Sequence, residues 1–132
     1  MTLPSDTGSV RRARAFVAGV LAGWERGDLC EVASLLTSEL VTNAVLHART
    51  PIEVGLRLRP GCLRVEVEDA DGRGPTIKRY SSGSATGRGL VLVEALSTRW
   101  GSEELVGGKL VWFELGDGAT DQPAARTGTD GP

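Results

Sequence analysis

The sequence predicts an α/β two-layer sandwich, with helices on one face of a mostly antiparallel mixed sheet. Three observations carry that reading. Two stretches with helical apolar spacing open the chain, and a pair of alternating strands joined by Pro60-Gly61 follows. A third helical stretch then leads into a last alternating strand. The order α, α, β, β, loop, α, β, β places helices and strands in separate layers.

The first helix should run from about Ser9 to Arg26. Ser9 is a suitable N-cap, Ala13, Phe16, Val17, Val20, Leu21 and Trp24 recur at helical spacing, and Gly27 lies just beyond the end. Asp28 and Glu31 in DLCE have the spacing of a capping box and should open the second helix, which Pro51 limits to about Ala48. Ile52, Val54, Leu56 and Leu58 alternate with Glu53, Gly55, Arg57 and Arg59. After the turn, Leu63, Val65 and Val67 alternate with Arg64, Glu66 and Glu68. One further step of that period puts Asp69 on the apolar face. Ala70 to Gly87 is a long polar, Gly-rich connection of the kind that often serves as a functional lid. GRGLVLVEALS from Gly87 reads as the third helix, a short RWG segment follows, and KLVWFEL makes the last strand. Residues 1–8 are expected to be flexible, 9–115 to form the domain, and 116–132, rich in Gly, Ala, Thr, Asp and Pro, to be a disordered tail.

The chain has 132 residues, 40% hydrophobic and 24% charged, enough for one core of ordinary size. A net charge of -2 and the lack of a basic run give no reason to expect nucleic-acid binding. No apolar stretch approaches the roughly 20 residues of a membrane helix, and the N-terminus lacks the order of a signal peptide. A cytoplasmic location is expected. Cys30 and Cys62 have neither disulfide-framework nor zinc spacing and read as small core residues.

Three polar features stand out against this frame. Glu39, Asn43 and His47 recur at four-residue steps along the second helix, about 40° of rotation apart, with apolar residues on both sides. A water-satisfied polar stripe would explain them, and so would the wall of a cleft; a metal site lacks a third ligand. Asp69 closes a strand on its buried side, where it could cap the following turn or accept hydrogen bonds from an exocyclic amino group. Gly87-Arg88-Gly89 at a helix start offers N–H groups to phosphate, although a plain turn would look alike. No P-loop, dinucleotide fingerprint or calcium loop is present.

In this order and spacing the three features resemble the GHKL (Bergerat-fold) ATPases, the superfamily of gyrase B, histidine kinases and MutL. ELVTNA resembles its N box, VEDADGRG its first glycine box and GRGL its second. The small bacterial anti-sigma-factor serine kinases are the most similar group, sharing NAVLHA and GGKLVWFEL, and the resemblance covers about Ser9 to Leu115. It implies a histidine-kinase-type ATPase fold with ATP and Mg²⁺ as cofactors. Asn43 would coordinate the Mg²⁺, Glu39 would be the general base, and Asp69 would bind the adenine amino group. Gly74 in the first glycine box would help hold the nucleotide, and Gly87, Arg88, Gly89 and Leu90 would present backbone N–H groups to the phosphates. His47 would only pack near the cleft. The implied partners are a sigma factor and an antagonist protein whose serine is phosphorylated, with a homodimer allowed. The alternative is a nucleotide-binding interaction module of the same fold without phosphotransfer. The chain departs from the pattern at Asp71, where the family has glycine, and at Lys109, where relatives often have Thr. Registering Asp71 as the adenine residue is an alternative, but strand alternation favours Asp69.

Overall fold

The computed structural model describes residues 1–48, 50–70 and 85–116, with the side chains of 85–89 left aside. Strand β1 (Thr2–Leu3) leads into helix α1 (Gly8–Gly23), and a 3-10 turn (Gly27–Leu29) into helix α2 (Cys30–His47). Strands β2 (Ile52–Arg59) and β3 (Cys62–Asp69), helix α3 (Ala85–Leu96), and strands β4 (Arg99–Leu105) and β5 (Gly108–Gly116) complete it. The sheet order is β1-β2-β3-β5-β4, and every described pairing is antiparallel.

One face of this sheet carries the core. Ile52, Val54, Leu63, Val65, Val67, Val111 and Phe113 are buried there, while the alternate residues Glu53, Glu68 and Glu103 are exposed. Helix α2 packs on β3 and β2 and is flanked by α1 and α3, so it lies at the centre of the helical layer. Its buried positions are Ala33, Leu36, Thr37, Leu40, Val41, Asn43 and Ala44. This central position makes the helix unusually apolar. Gly27–His47, with mean hydropathy 1.3, is long and apolar enough by composition to cross a membrane, contrary to the expectation above. Here its apolar side chains fill the core, the other setting in which such a composition arises.

The element ends differ from the sequence reading in several places. Residues 1–8 were expected to be flexible, yet β1 pairs with β2 and the terminal amino group donates to the Val54 carbonyl at 2.9 Å. The apolar side chain of Leu3 drives this, since it is only 1% exposed against the core. Ser9 lies inside α1 rather than capping it: its Oγ donates to the Pro4 carbonyl at 2.5 Å, and its N–H donates to Asp6 Oδ1 at 3.2 Å. Asp28 does not form a capping box, because Arg26 binds its carboxylate through Nε at 3.0 Å and Nη2 at 2.9 Å. The charged pair outcompetes a backbone amide for that acceptor. Finally, the short RWG segment extends into the seven-residue strand β4. Cys30 and Cys62 are half-buried free thiols, and burial chiefly raises the Cys62 thiol above its ordinary value. The expected tail, 116–132, lies outside the described residues beyond Gly116.

Candidate functional site

The site is built around α2. Asn43 and Glu39 stand one turn apart on it, where their spacing keeps them on neighbouring positions of one face. Asn43 is only 4% exposed, and its Nδ2 has no hydrogen-bond partner among the described residues. An amide buried without a partner costs about 1–3 kcal/mol, so a ligand that accepts from it has a place ready. Glu39 is half-buried on the same side, and His47 is half-buried in the last turn, where the chain leaves the helix.

Asp69 is the last residue of β3 and faces the helices, as the strand period predicted. It is 5% exposed and pairs in register with Ile52 on one side and Lys109 on the other. Lys109 Nζ stands 4.0 Å from Asp69 Oδ2 and is equally buried. Two opposite charges of comparable burial hold each other in place there. The glycines before Lys109 have distinct tasks. Gly107 turns the chain with φ +80°, and Gly108 lets β5 approach the Asp69 carbonyl, which a Cβ would meet at 2.2 Å. Beyond the strand, the Ala70 N–H donates to Thr50 Oγ1 at 3.1 Å and fixes where the loop departs.

Helix α3 begins at Ala85, two residues earlier than the sequence suggested. Gly87 and Arg88 therefore fall in its first turn, where backbone N–H groups lack an intrahelical acceptor, while Gly89 and Leu90 follow. Leu90 is half-buried against the core, and Val93 one turn on is fully buried. α2, which carries Glu39 and Asn43, packs both on β3, which ends at Asp69, and on the glycine-led helix α3. Gly74 and Asp71 lie outside the described residues.

Sequence reasoning treated Lys109 only as a departure and did not foresee it as the partner of Asp69. The β3–β5 register that pairs them joins residues forty positions apart and leaves no local signal. The roles of Thr50 and Gly108 were likewise unforeseen, although a Gly-Gly step before a strand is a legible turn signal. A cavity of about 290 Å³ at the strand ends, between Pro51, Asp69, Val106 and Gly108, includes neither Glu39 nor Asn43. Of the candidate site residues, Asp69 alone lines it. Among the described residues no cluster of three His, Cys, Asp or Glu could hold a metal ion.

Comparison with known proteins bears on the fold and the family. No curated protein matches the chain. Among solved structures, the histidine kinase domain from the Erythrobacter litoralis EL346 blue-light activated histidine kinase is similar, with a TM-score of 0.54 and 21% identity. At that identity the match is a likeness of fold; it covers 86% of this chain and 61% of that one, so this chain spans less than two thirds of it. The profile of the histidine kinase-like ATPase domain matches residues 3–114, which include Glu39, Asn43 and Asp69. By that match the chain belongs to the histidine kinase-like ATPase domain family, within the GHKL-type superfamily.

Proposed function

We propose that this chain is a cytoplasmic ATP- and Mg²⁺-binding regulatory protein, an anti-sigma factor that phosphorylates a serine on an antagonist protein. The observation that carries the reading is the buried side chain of Asn43 on α2, whose Nδ2 has no partner among the described residues and would donate to a phosphate oxygen while its Oδ1 faces the cation, one turn from Glu39 and on the helix that packs against the strand bearing Asp69. When bound, Mg-ATP supplies the phosphoryl group and the cation that neutralises its charge. Asn43 would give the cation a single protein ligand, which suits Mg²⁺, an ion that keeps most of its shell as water and phosphate oxygen. Asp69 would accept from the adenine amino group, with its carboxylate held by Lys109. The N–H groups of Gly87 and Arg88 in the first turn of α3 would face the phosphates, whereas those of Gly89 and Leu90 fall deeper in the helix, where the i→i−4 ladder takes them.

Glu39 would take the proton of the serine hydroxyl as the serine oxygen bonds to the γ-phosphorus and the bond to the ADP oxygen breaks. The test is radiolabel transfer from ATP to candidate antagonist proteins, alongside calorimetry with Mg-ATP. Glu39→Ala is expected to keep nucleotide binding and lower transfer by at least about 100-fold, whereas Asp69→Asn should abolish binding. Full transfer by Glu39→Ala would remove the proposed base. Nucleotide binding without transfer to any partner would leave the interaction module of the same fold as the function.

A further inference from the structure

Strand registers put Ile52, Asp69, Lys109 and Glu104 in one row across β2, β3, β5 and β4. Directly opposed residues of antiparallel strands share a face, so all four belong to the helical side of the sheet, where Ile52 is buried. The alternation along β5 agrees, since Lys109, Val111 and Phe113 are buried at steps of two. Gly108 allows this placement, because any side chain there would collide with the Asp69 carbonyl and push β5 away. Lys109 is 4% exposed, and its Nζ stands 4.0 Å from Asp69 Oδ2. That separation exceeds the roughly 2.7–3.2 Å of an N–H···O hydrogen bond, so charge holds the pair without the two heads closing on each other.

A carboxylate offers acceptors only and an ammonium donors only. Standing alone, Asp69 would suit a purine with a donor at position 6, the amino group of adenine, and would repel the 6-oxo group of guanine. Beside Lys109 it becomes half of an acceptor–donor pair. The edge of adenine carries a donor at N6 next to an acceptor at N1. The edge of guanine carries an acceptor at O6 next to a donor at N1. Either edge matches the pair, in opposite order. Neighbouring edge atoms lie about 2.3 Å apart across two ring bonds, so two heads 4.0 Å apart can each reach one of them with an ordinary hydrogen bond. Lys109 is the adaptable member, because its four-carbon stem rotates, whereas Asp69 is short and sits at a strand end. Glu104, next in the row and exposed, keeps an acid beside the ammonium when it turns from Asp69 to a base.

We propose that Lys109 is a base-reading residue, and that this site takes nucleoside triphosphates with a 6-oxopurine base, guanine or hypoxanthine, as well as ATP. The inference rests on the reading of Asp69 as the base-binding carboxylate. With adenine, Asp69 accepts from N6–H and Lys109 donates to N1. With a 6-oxopurine the base slides by one edge position, so that Asp69 accepts from N1–H and Lys109 donates to O6, an atom that Lys commonly reads. Neither contact needs the 2-amino group of guanine, so hypoxanthine is read in the same way. In both complexes the carboxylate and the ammonium offset each other beside the ring, and neither base meets an uncompensated buried charge. The triphosphate is common to all these nucleotides, which leaves the base as what the site distinguishes.

Calorimetry of the full chain with the Mg²⁺ salts of ATP, GTP and inosine triphosphate tests this. The wild-type chain should bind all three, the two 6-oxopurine nucleotides with dissociation constants within about tenfold of that for ATP. Lys109→Met keeps the length of the side chain and removes the donor. It should shift the GTP-to-ATP affinity ratio towards ATP by at least about tenfold. A general loosening of the strands would weaken both nucleotides alike, so the ratio reports how the base is read and not how stable the site is. Lys109→Gln retains an N–H donor and should shift the ratio less than Lys109→Met. That variant and the wild-type series decide the matter if Lys109→Met does not fold. ATP bound with both 6-oxopurine nucleotides more than about tenfold weaker would overturn the proposal and leave the adenine reading of Asp69 standing. An unchanged ratio in Lys109→Met, or one shifted as far by Gln as by Met, would do the same. Binding of none of the three nucleotides would overturn both.

Discussion

Glu114 is a carboxylate on the uncovered face of the sheet, yet it is only 6% exposed. Burial alone would raise its carboxyl, but the hydrogen bonds from Arg99 and Arg64 outweigh it, and the group is held below its ordinary value of 4.5. A carboxylate lowered on folding adds stability that is complete above its unfolded value and is lost as pH falls through the folded one. Glu114→Gln is therefore expected to cost about 1–3 kcal/mol at neutral pH. The two proteins should converge on acidification below about 4.5, as urea unfolding at dilute concentration would show. Asn43 presents the converse case, a buried polar group whose amide the described residues leave unsatisfied. Its presence on a core helix was legible in the sequence from the four-residue step to Glu39. That its N–H groups would be buried without a partner was not, because burial depends on what packs against the helix.

At the scale of elements, helix ends were the least legible parts. Helix α1 ends at Gly23, and the chain turns at Glu25 with φ +60°, the left-handed region that favours glycine. The Arg26 N–H donates back to the Leu21 carbonyl at 2.7 Å and the Glu25 N–H to the Ala22 carbonyl at 3.0 Å, a Schellman-type closure. Gly27, which the sequence suggested as the stop, instead opens the 3-10 turn. Glu25→Gly should relieve the steric cost and stabilise the protein by about 1 kcal/mol, seen as a raised thermal midpoint. Capping signals failed here because Arg26 and Asp28, neighbours on the surface, satisfy each other. The strands were more legible, since a period of two with one face buried fixes which residues face the core. Asp69 followed from that period alone.

Across the whole molecule, β1 joins residues about fifty positions apart and closes the sheet edge over the core. Leu3→Ala should cost about 2–5 kcal/mol, as for any fully buried Leu, in place of the near-zero effect expected of a flexible terminus; chemical denaturation decides between them. The N-terminal residues looked loose in the sequence because two residues are too few to show a period. The sequence by itself determined the order of helices and strands, the turn at Pro60-Gly61, the polar step along α2 and the inward facing of Asp69. All of these depend on local periodicity, which is written into neighbouring residues. Only the tertiary structure decided that β5 lies beside β3, and with it the Asp69–Lys109 pair and the ion pairs of Glu114 with Arg64 and Arg99. Those depend on register between strands distant in the chain, which is fixed by how the buried face of the sheet fits under α2 and not by any local signal.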